Sequence, residues 1–503
     1  MCGPGVNHQE ATLEHPWNEQ SGALSHLEDL IAQVLHIPKS TVTDDLEYQS
    51  IMEWDSLSHI NLMLALETTY GISIDPDTIT HLNSVVRIRS HILQAATQQW
   101  AGANAIAAQP TMSPSDSSTA AEGVHRGLTG VIFDRSRISL IDGQAGKLLY
   151  RGYSIHDLAT RSTFEETAYL LLFGQLPLPG ELADFSAQLK AARAIPLPIL
   201  DLIQHMRHCH PMMVLRTAIS MLAAFDEDRD STDPRALQRR GIRLIAQTPT
   251  LVAAHQAIRT GKQPPAPHPT LGHAANFLYM LQGAVPDERA AAIVDRVLIL
   301  HADHSSNASA FAARVVAGTR ADFYAALTAA AAAFAGPLHG GALEQVMTML
   351  EAIGAPERAA DYVAALRARN EPVMGFGHRV YQTEDPRAHH LREAARALSH
   401  ECGEPRWYAI LEAIVAAMRP YIEKGIDVNV DFYASVIYHL LGLPADLFVP
   451  AFVVGRMPGW IAQIHEQYAN NILIRPLLKY VGAEDLTYQP LGQRGVSATT
   501  AEV

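Results

Sequence analysis

Cysteine is scarce in this chain: Cys2, Cys209 and Cys402 are three in 503 residues. They lie far apart, which indicates neither a disulfide framework nor a zinc site, and no metal is expected. Basic runs are missing too. With a formal net charge of -14, non-specific nucleic-acid binding is not expected. The start, Met1-Cys2-Gly3-Pro4, has no basic region leading into an apolar core, so it reads as no secretory signal. No uninterrupted apolar run is expected to span a membrane. Residues 321–335 come closest, but Asp322 and Thr328 interrupt them and Gly336-Pro337 ends them. A cytoplasmic location without membrane partners is the default. There is no internal repeat and no Gly-rich nucleotide fingerprint.

What is present describes a globular chain, 48% apolar and 18% charged. Its length implies two or three domains. Residues 1–20 are polar, carry no apolar period and read as a disordered leader. An amphipathic pattern then runs through Leu24, Leu27, Leu30, Ile31, Val34 and Leu35 and stops at Pro38. A second helix fits Leu57, Ile60, Leu64 and Ala65 and closes at Gly71. A third follows Asn83 through Val85, Val86, Ile88 and Ile92. Three or four helices over residues 21–98 make a small bundle, with ten Asp/Glu against three Lys/Arg. Residues 99–123 change to Ala/Gln/Gly and then a Pro/Ser/Thr-rich stretch, a flexible tether. From residue 124 to about 485 the chain is rich in Ala and Leu with helical periodicity. Within it, residues 130–151 carry β-branched residues and Gly turns that suggest a small strand-turn entry. Residues 486–503 read as a frayed tail.

In the first domain, Trp54-Asp55-Ser56-Leu57-Ser58 heads the second helix. A helix N-terminus offers free N–H groups and a favourable dipole to a phosphodiester, which suits Ser56 for modification. Asp55 or Ser56 as a plain N-cap is the simpler account of that tripeptide alone. The wider stretch resembles acyl carrier proteins: Glu53-Trp54-Asp55-Ser56-Leu57-Ser58-His59-Ile60-Asn61-Leu62, then Leu66-Glu67 and Tyr70-Gly71-Ile72. The resemblance implies a four-helix carrier domain with 4′-phosphopantetheine on Ser56, and a phosphopantetheinyl transferase as partner. The acidic balance fits docking on basic patches.

The later domain carries separated glycine-flanked histidines and a carboxylate: Gly336-Pro337-Leu338-His339-Gly340-Gly341, Gly375-Phe376-Gly377-His378-Arg379 and Asn429-Val430-Asp431. Condensing a thioester with a ketone needs a base for a weakly acidic C–H, donors for the enol(ate) oxygen, and a donor for the keto oxygen. One carboxylate and two imidazoles meet those needs without metal, and arginines suit substrate carboxylates. Taken singly, the histidines are also plausible caps, Asp431 a helix N-cap, and His301-Ala302-Asp303-His304 a helix face or a metal pair.

Together the segments resemble the citrate synthases, especially the shorter bacterial citrate and 2-methylcitrate synthases. Further matching stretches are Asp142-Gly143-Gln144-Ala145-Gly146-Lys147, His210-Pro211-Met212, Asn307-Ala308-Ser309, Pro372-Val373-Met374 and Asp385-Pro386-Arg387. The resemblance implies an all-α protein: the carrier bundle, then a mainly helical domain with large and small subdomains, forming a homodimer. It implies Asp431 as base, His339 as donor to the thioester carbonyl and His378 as donor to the keto group. His304, Arg387, Arg456 and Arg475 would hold carboxylates, with Arg475 supplied across the dimer. Pro372, Val373, Met374, Gly375 and Phe376 would contact coenzyme A. Leu343, Ser305-Ser306 and Met213 depart from the family pattern and put the housekeeping substrate pair in question. The expected activity is condensation of an acyl thioester, CoA- or carrier-bound, with oxaloacetate or a related 2-oxo acid, giving a citrate-like tricarboxylate in a specialised pathway. An acyl-loading enzyme would be a further partner. The alternatives are a housekeeping citrate or 2-methylcitrate synthase using free acyl-CoA, and a non-catalytic carrier scaffold on a degenerate synthase.

Overall fold

The computed structural model describes residues 22–101 and 125–491, apart from 71, 73, 129, 370 and 489. The expected leader, nearly all of the expected tether and the end of the tail fall outside the described residues.

The first unit is a bundle of helices α1 (Gly22–Leu35), α2 (Ser56–Tyr70), α3 (Pro76–His81) and α4 (Val85–Ala101). Its core takes Leu27, Ile31 and Leu35 from α1 and Ile60, Met63 and Leu66 from α2. Ile79 of α3 and Val85, Ile88 and Ile92 of α4 complete it. These positions recur at the three-to-four-residue spacing that puts apolar groups on one helix face. Asp75 caps α3 by accepting from Thr78 N, with Pro76 supplying a fixed φ at the first helical position. Trp54, fully buried, donates its Nε1–H to His59 Nδ1 at 3.1 Å, and His59 Nε2 meets the Ile79 carbonyl at 3.0 Å. That chain ties the loop before α2 to α3. α4 continues to Ala101, past the boundary at residue 98 drawn from composition.

The second unit is helical apart from a small antiparallel meander: β1 (Ser139–Asp142), β2 (Lys147–Tyr150) and β3 (Tyr153–Ser154), with Ser139 opposite Tyr150 and Asp142 opposite Lys147. The meander braces the site. Ser139 Oγ donates to Asp303 Oδ2 at 2.5 Å, and Tyr150 OH donates to the Asp303 carbonyl at 2.9 Å. Both fix the chain just past the Glu288–His301 helix. In the β1–β2 turn the Asp142 carboxylate accepts from Gln144 N and Ala145 N. A Cβ on Gly143 would come within 1.9 Å of the Val380 carbonyl oxygen, so only glycine lets the turn lie on the loop after His378.

The Phe448–Ala469 helix runs through the core of the larger part, packed by Pro234–Arg259, Glu288–His301 and Ala308–Gly318. It lies within a stretch, Ala445–Ala469, whose length and hydropathy would allow a membrane span, yet its most apolar part is buried in the fold. It is not an uninterrupted apolar run, since Arg456 stands within it, buried inside the protein. The smaller part packs Ala342–Ile353, Ala359–Ala368, Pro386–Glu401, Arg406–Ile422 and Val430–Leu440 against one another.

Candidate active site

His339 lies in the tight 336–341 turn after the Phe323–Phe334 helix, where His339 N and Gly341 N both donate to the Gly336 carbonyl. Its ring stands edge-on to Phe334, centroids 4.8 Å apart. Ser309 N–H donates to His339 Nε2 at 3.3 Å and Ser309 Oγ sits 2.9 Å from the same nitrogen. Nε2 is thus an acceptor, and the neutral ring carries its proton on Nδ1. Trp460 Nε1 and Asn307 Oδ1 hold the serine hydroxyl in place. Burial, then the nearby Arg456 charge, pushes the His339 pKa down to about 4.

His378 has the opposite tautomer. Val380 N and Tyr381 N donate to its Nδ1 at 3.0 and 3.1 Å, which leaves the proton on Nε2. Burial and then Arg387 lower its pKa to about 4. His304 is edge-on to His378 at 5.0 Å, its Nε2 3.3 Å from Tyr381 OH, and it too is held neutral by burial and surrounding cations. The site therefore presents neutral imidazoles with fixed donors at ordinary pH.

Asp431 falls in the first turn of the Val430–Leu440 helix, whose N-cap is Asn429, accepting from Asp431 N. The cap is thus Asn429, and no described residue hydrogen-bonds the Asp431 carboxyl. Burial raises its pKa to about 7, with Arg387 opposing and Asp385 adding to the rise. A carboxyl poised there is a proton acceptor matched to neutral pH.

Arg387 is buried with its fork closed on Asp385: Nε to Oδ1 at 2.9 Å and Nη2 to Oδ2 at 2.6 Å. Asp385 also caps the Pro386–Glu401 helix. Arg387 thus keeps Nη1 and the remaining Nη2 hydrogen for a ligand rather than its whole fork. Arg456 donates Nε to the His301 carbonyl at 2.5 Å and lies over the Phe452 and Phe334 rings. Burial brings its pKa down to about 10, so it stays charged. His301 stacks on Phe452 at 3.5 Å and faces Tyr438, away from a ligand role. Among the described residues no three His, Cys, Asp or Glu converge as metal ligands. Arg475 stands apart: it lies exposed in the segment after the Phe448–Ala469 helix and makes no hydrogen bond or ion pair with the described residues.

The segment Pro372, Val373, Met374, Gly375 and Phe376 runs antiparallel to residues 426–429. Gly377 N donates to the Asp427 carbonyl at 2.8 Å, Asn429 N to the Gly375 carbonyl at 2.9 Å, and Asn429 Nδ2 to the Gly377 carbonyl at 3.0 Å. Gly375 has φ +84 and a Cβ there would strike Phe432, so glycine is required for the two segments to meet. This ribbon links His378 on one side to Asp431 on the other. Of the departures, Leu343 is buried with its carbonyl accepting from Ser435 Oγ, and Met213 is half exposed.

Ser309, Tyr381 and Asn429 orient the reactive groups and had no assigned role in the sequence. An Asn–x–Ser at a helix start was the available signal for Ser309, since Asn307 caps Ala308–Gly318.

In the carrier unit Ser56 is the first residue of α2, and Asp55 caps it, accepting from Ser58 N at 2.8 Å and Ser58 Oγ at 2.9 Å. The simpler account therefore holds for Asp55 and leaves Ser56 at the helix start, a position suited to a phosphodiester. Incubation with CoA and a broad-specificity phosphopantetheinyl transferase is expected to add one phosphopantetheine mass to the wild type and none to Ser56→Ala. Equal labelling of both, read by intact mass, would contradict the assignment.

The second unit, with its braced helical core and facing imidazoles and carboxylate, matches the family model described as citrate synthase, C-terminal domain, over residues 127–477; the first matches that of the phosphopantetheine attachment site over residues 25–92. Among known proteins the chain is 45% identical to "Citrate synthase 2" of Bacillus subtilis, covering 73% of this chain and 99% of that protein. It is 42% identical to a 2-methylcitrate synthase of Mycobacterium tuberculosis, covering 72% and 91%. Citrate synthase from Pyrobaculum aerophilum shares its fold with a TM-score of 0.70 at 38% identity, over 78% of this chain and 100% of that one. A ternary complex of carboxymethyl coenzyme A and oxaloacetate with citrate synthase from Thermoplasma acidophilum gives 0.71 at 29%, over 74% and 99%. The fold is thus that of the citrate/2-methylcitrate synthase type of condensing enzyme. The chain belongs to the citrate synthase family, with a phosphopantetheine-attachment domain at its N-terminus.

Proposed function

We propose that the protein condenses an acyl thioester with oxaloacetate or a closely related 2-oxo acid, and that its own carrier domain presents the acyl group in a specialised pathway. The observation that carries the reaction is the fixed pair of opposite tautomers, His339 protonated on Nδ1 and His378 on Nε2, beside a carboxyl raised to about 7. Asp431 takes the α-proton of the thioester while His339 Nδ1–H stabilises the enol(ate) oxygen. The α-carbon then bonds to the keto carbon, and the keto oxygen, held by His378 Nε2–H, takes up the electron pair. The proton Asp431 removed balances the hydroxyl formed. Water cleaves the thioester and releases the thiol and a tricarboxylate.

Arg387, Arg456 and His304 hold the 2-oxo acid's carboxylates, and the 372–376 segment holds the pantetheine portion of the thioester. 4′-Phosphopantetheine on Ser56 would supply a thiol on a swinging arm. A carrier thiol on the same chain as the synthase keeps the thioester at high local concentration. The phosphopantetheinyl transferase is the partner that the attachment domain implies; a separate enzyme loads the acyl group, in the cytoplasm.

The active form is a homodimer in which Arg475 reaches the partner's site. Support comes from the segment after the Phe448–Ala469 helix, where Leu477, Leu478 and Val481 are 83%, 98% and 87% exposed. A second copy would cover that apolar arm.

Purified protein given acetyl- or propionyl-CoA, or its acyl-loaded carrier form, with oxaloacetate should release thiol and a citrate-type acid. Thioester binding without any turnover would favour a scaffold instead.

A further inference from the structure

Among the described residues, two polar contacts join α2 of the carrier to the synthase. Lys424 Nζ lies 2.8 Å from Glu67 Oε2 of α2, with the two side chains only 13% and 21% exposed. Arg367 Nη2 donates to Asn61 Oδ1, also of α2. The Arg367 guanidinium sits on the Tyr421 ring at 4.4 Å, its Nε and Nη1 buried without a partner. Glu67 is held for this contact, since its other oxygen accepts from Ile74 N at 2.7 Å.

The two cations are placed with respect to the chemistry. Arg367 closes the Ala359–Ala368 helix five residues before Pro372, and Lys424 precedes Gly425 and the 426–429 stretch. Arg367 packs on Tyr421, whose carbonyl accepts from Ile426 N, so both cations lie beside the 426–429 stretch that pairs with residues 375–377. On α2, positions 56 and 67 are eleven residues apart, three turns, so at about 100° per residue they share one side of the helix to within about 20°. Glu67 therefore shares the side of position 56, while Asn61, six residues before Glu67, lies about 120° round the helix, so the two contacts grip the helix from two sides.

Resting on the reading of carrier-presented condensation, we propose that α2 is a docking helix and Arg367 and Lys424 its receptor. The carrier domain of this chain is the occupant, seated so that the arm on Ser56 enters the thioester channel along residues 372–376. Contact through one carboxylate and one amide on two cations favours fast, reversible docking over a permanent clamp, as repeated loading and delivery require.

The test uses the full chain with Glu67→Cys and Lys424→Cys together, oxidised and mapped by peptide mass spectrometry. The pair is expected to cross-link at least tenfold faster than Asp29→Cys with Lys424→Cys, Asp29 being an exposed carrier residue that meets Lys39 instead. Equal rates, or no link, overturn the docking whether or not loaded protein turns over. A link with no product from acyl-loaded protein leaves docking standing and removes the reading it rests on. In the loaded protein Glu67→Lys should cut single-turnover product at least tenfold while free acyl-CoA turnover by the same variant is unchanged. Adding Lys424→Glu should restore it. Glu67→Gln, which keeps an acceptor for Ile74 N, should show a smaller loss, and transferase labelling checks that each carrier still folds. Failure of the reversed pair to recover would overturn the assignment of these two residues.

Discussion

Asp431→Asn is expected to lower kcat by about 10²- to 10⁴-fold, the range that a positioned general base contributes. The amide fills the same space but accepts no proton. No described residue hydrogen-bonds this carboxyl, and burial already disfavours its charge. The substitution should therefore leave the melting temperature unchanged or slightly higher. The wild type should report the same group by pH. The base must be ionised, and its pKa is raised to about 7. So kcat/KM should fall tenfold per unit as pH drops below about 7 and level off above it. His339 and His378, pushed down to about 4, stay neutral across that range and add no limb. Near-normal turnover in the asparagine variant, or a profile flat from pH 5 to 8, would remove Asp431 from the role.

His339→Ala and His378→Ala should each lose about 10²- to 10³-fold in kcat, the cost of one preorganised donor to a developing oxyanion. Their partial reactions should differ. Solvent exchange of the thioester α-hydrogens, followed with a non-condensing dicarboxylate analogue of the 2-oxo acid, needs Asp431 and His339 only. It should survive His378→Ala and vanish in His339→Ala. The geometry behind this is specific: Ser309 N–H forces the His339 proton to Nδ1, while Val380 N and Tyr381 N force the His378 proton to Nε2. Equal loss of exchange in both variants would mean that the two rings act as one unit.

Much of this was legible in the sequence because the signals are local. Apolar spacing and Pro38 gave α1, and the start of α2 follows from Asp55 as a short acceptor ahead of free N–H groups. The helix α4 ran past residue 98 because the Ala and Gln there are good helix formers, although they also look like the start of a linker. The reactive trio was legible because glycine-flanked histidines and an Asn-x-Asp at a helix start are unusual together. Their tautomers were not, since those depend on backbone amides brought from elsewhere. Nor did the sequence reveal that Asp385 closes on Arg387, or that α2 meets Arg367 and Lys424, more than three hundred residues on.

The central claim is that the acyl group arrives on this chain's own carrier. It is tested most directly by single-turnover condensation: protein acyl-loaded on Ser56, free CoA removed, oxaloacetate added, tricarboxylate measured over time. Product is expected to form in an amount equal to the loaded acyl group, with none from Ser56→Ala treated identically. No product from loaded protein, beside brisk turnover of free acetyl- or propionyl-CoA by Ser56→Ala, would contradict it.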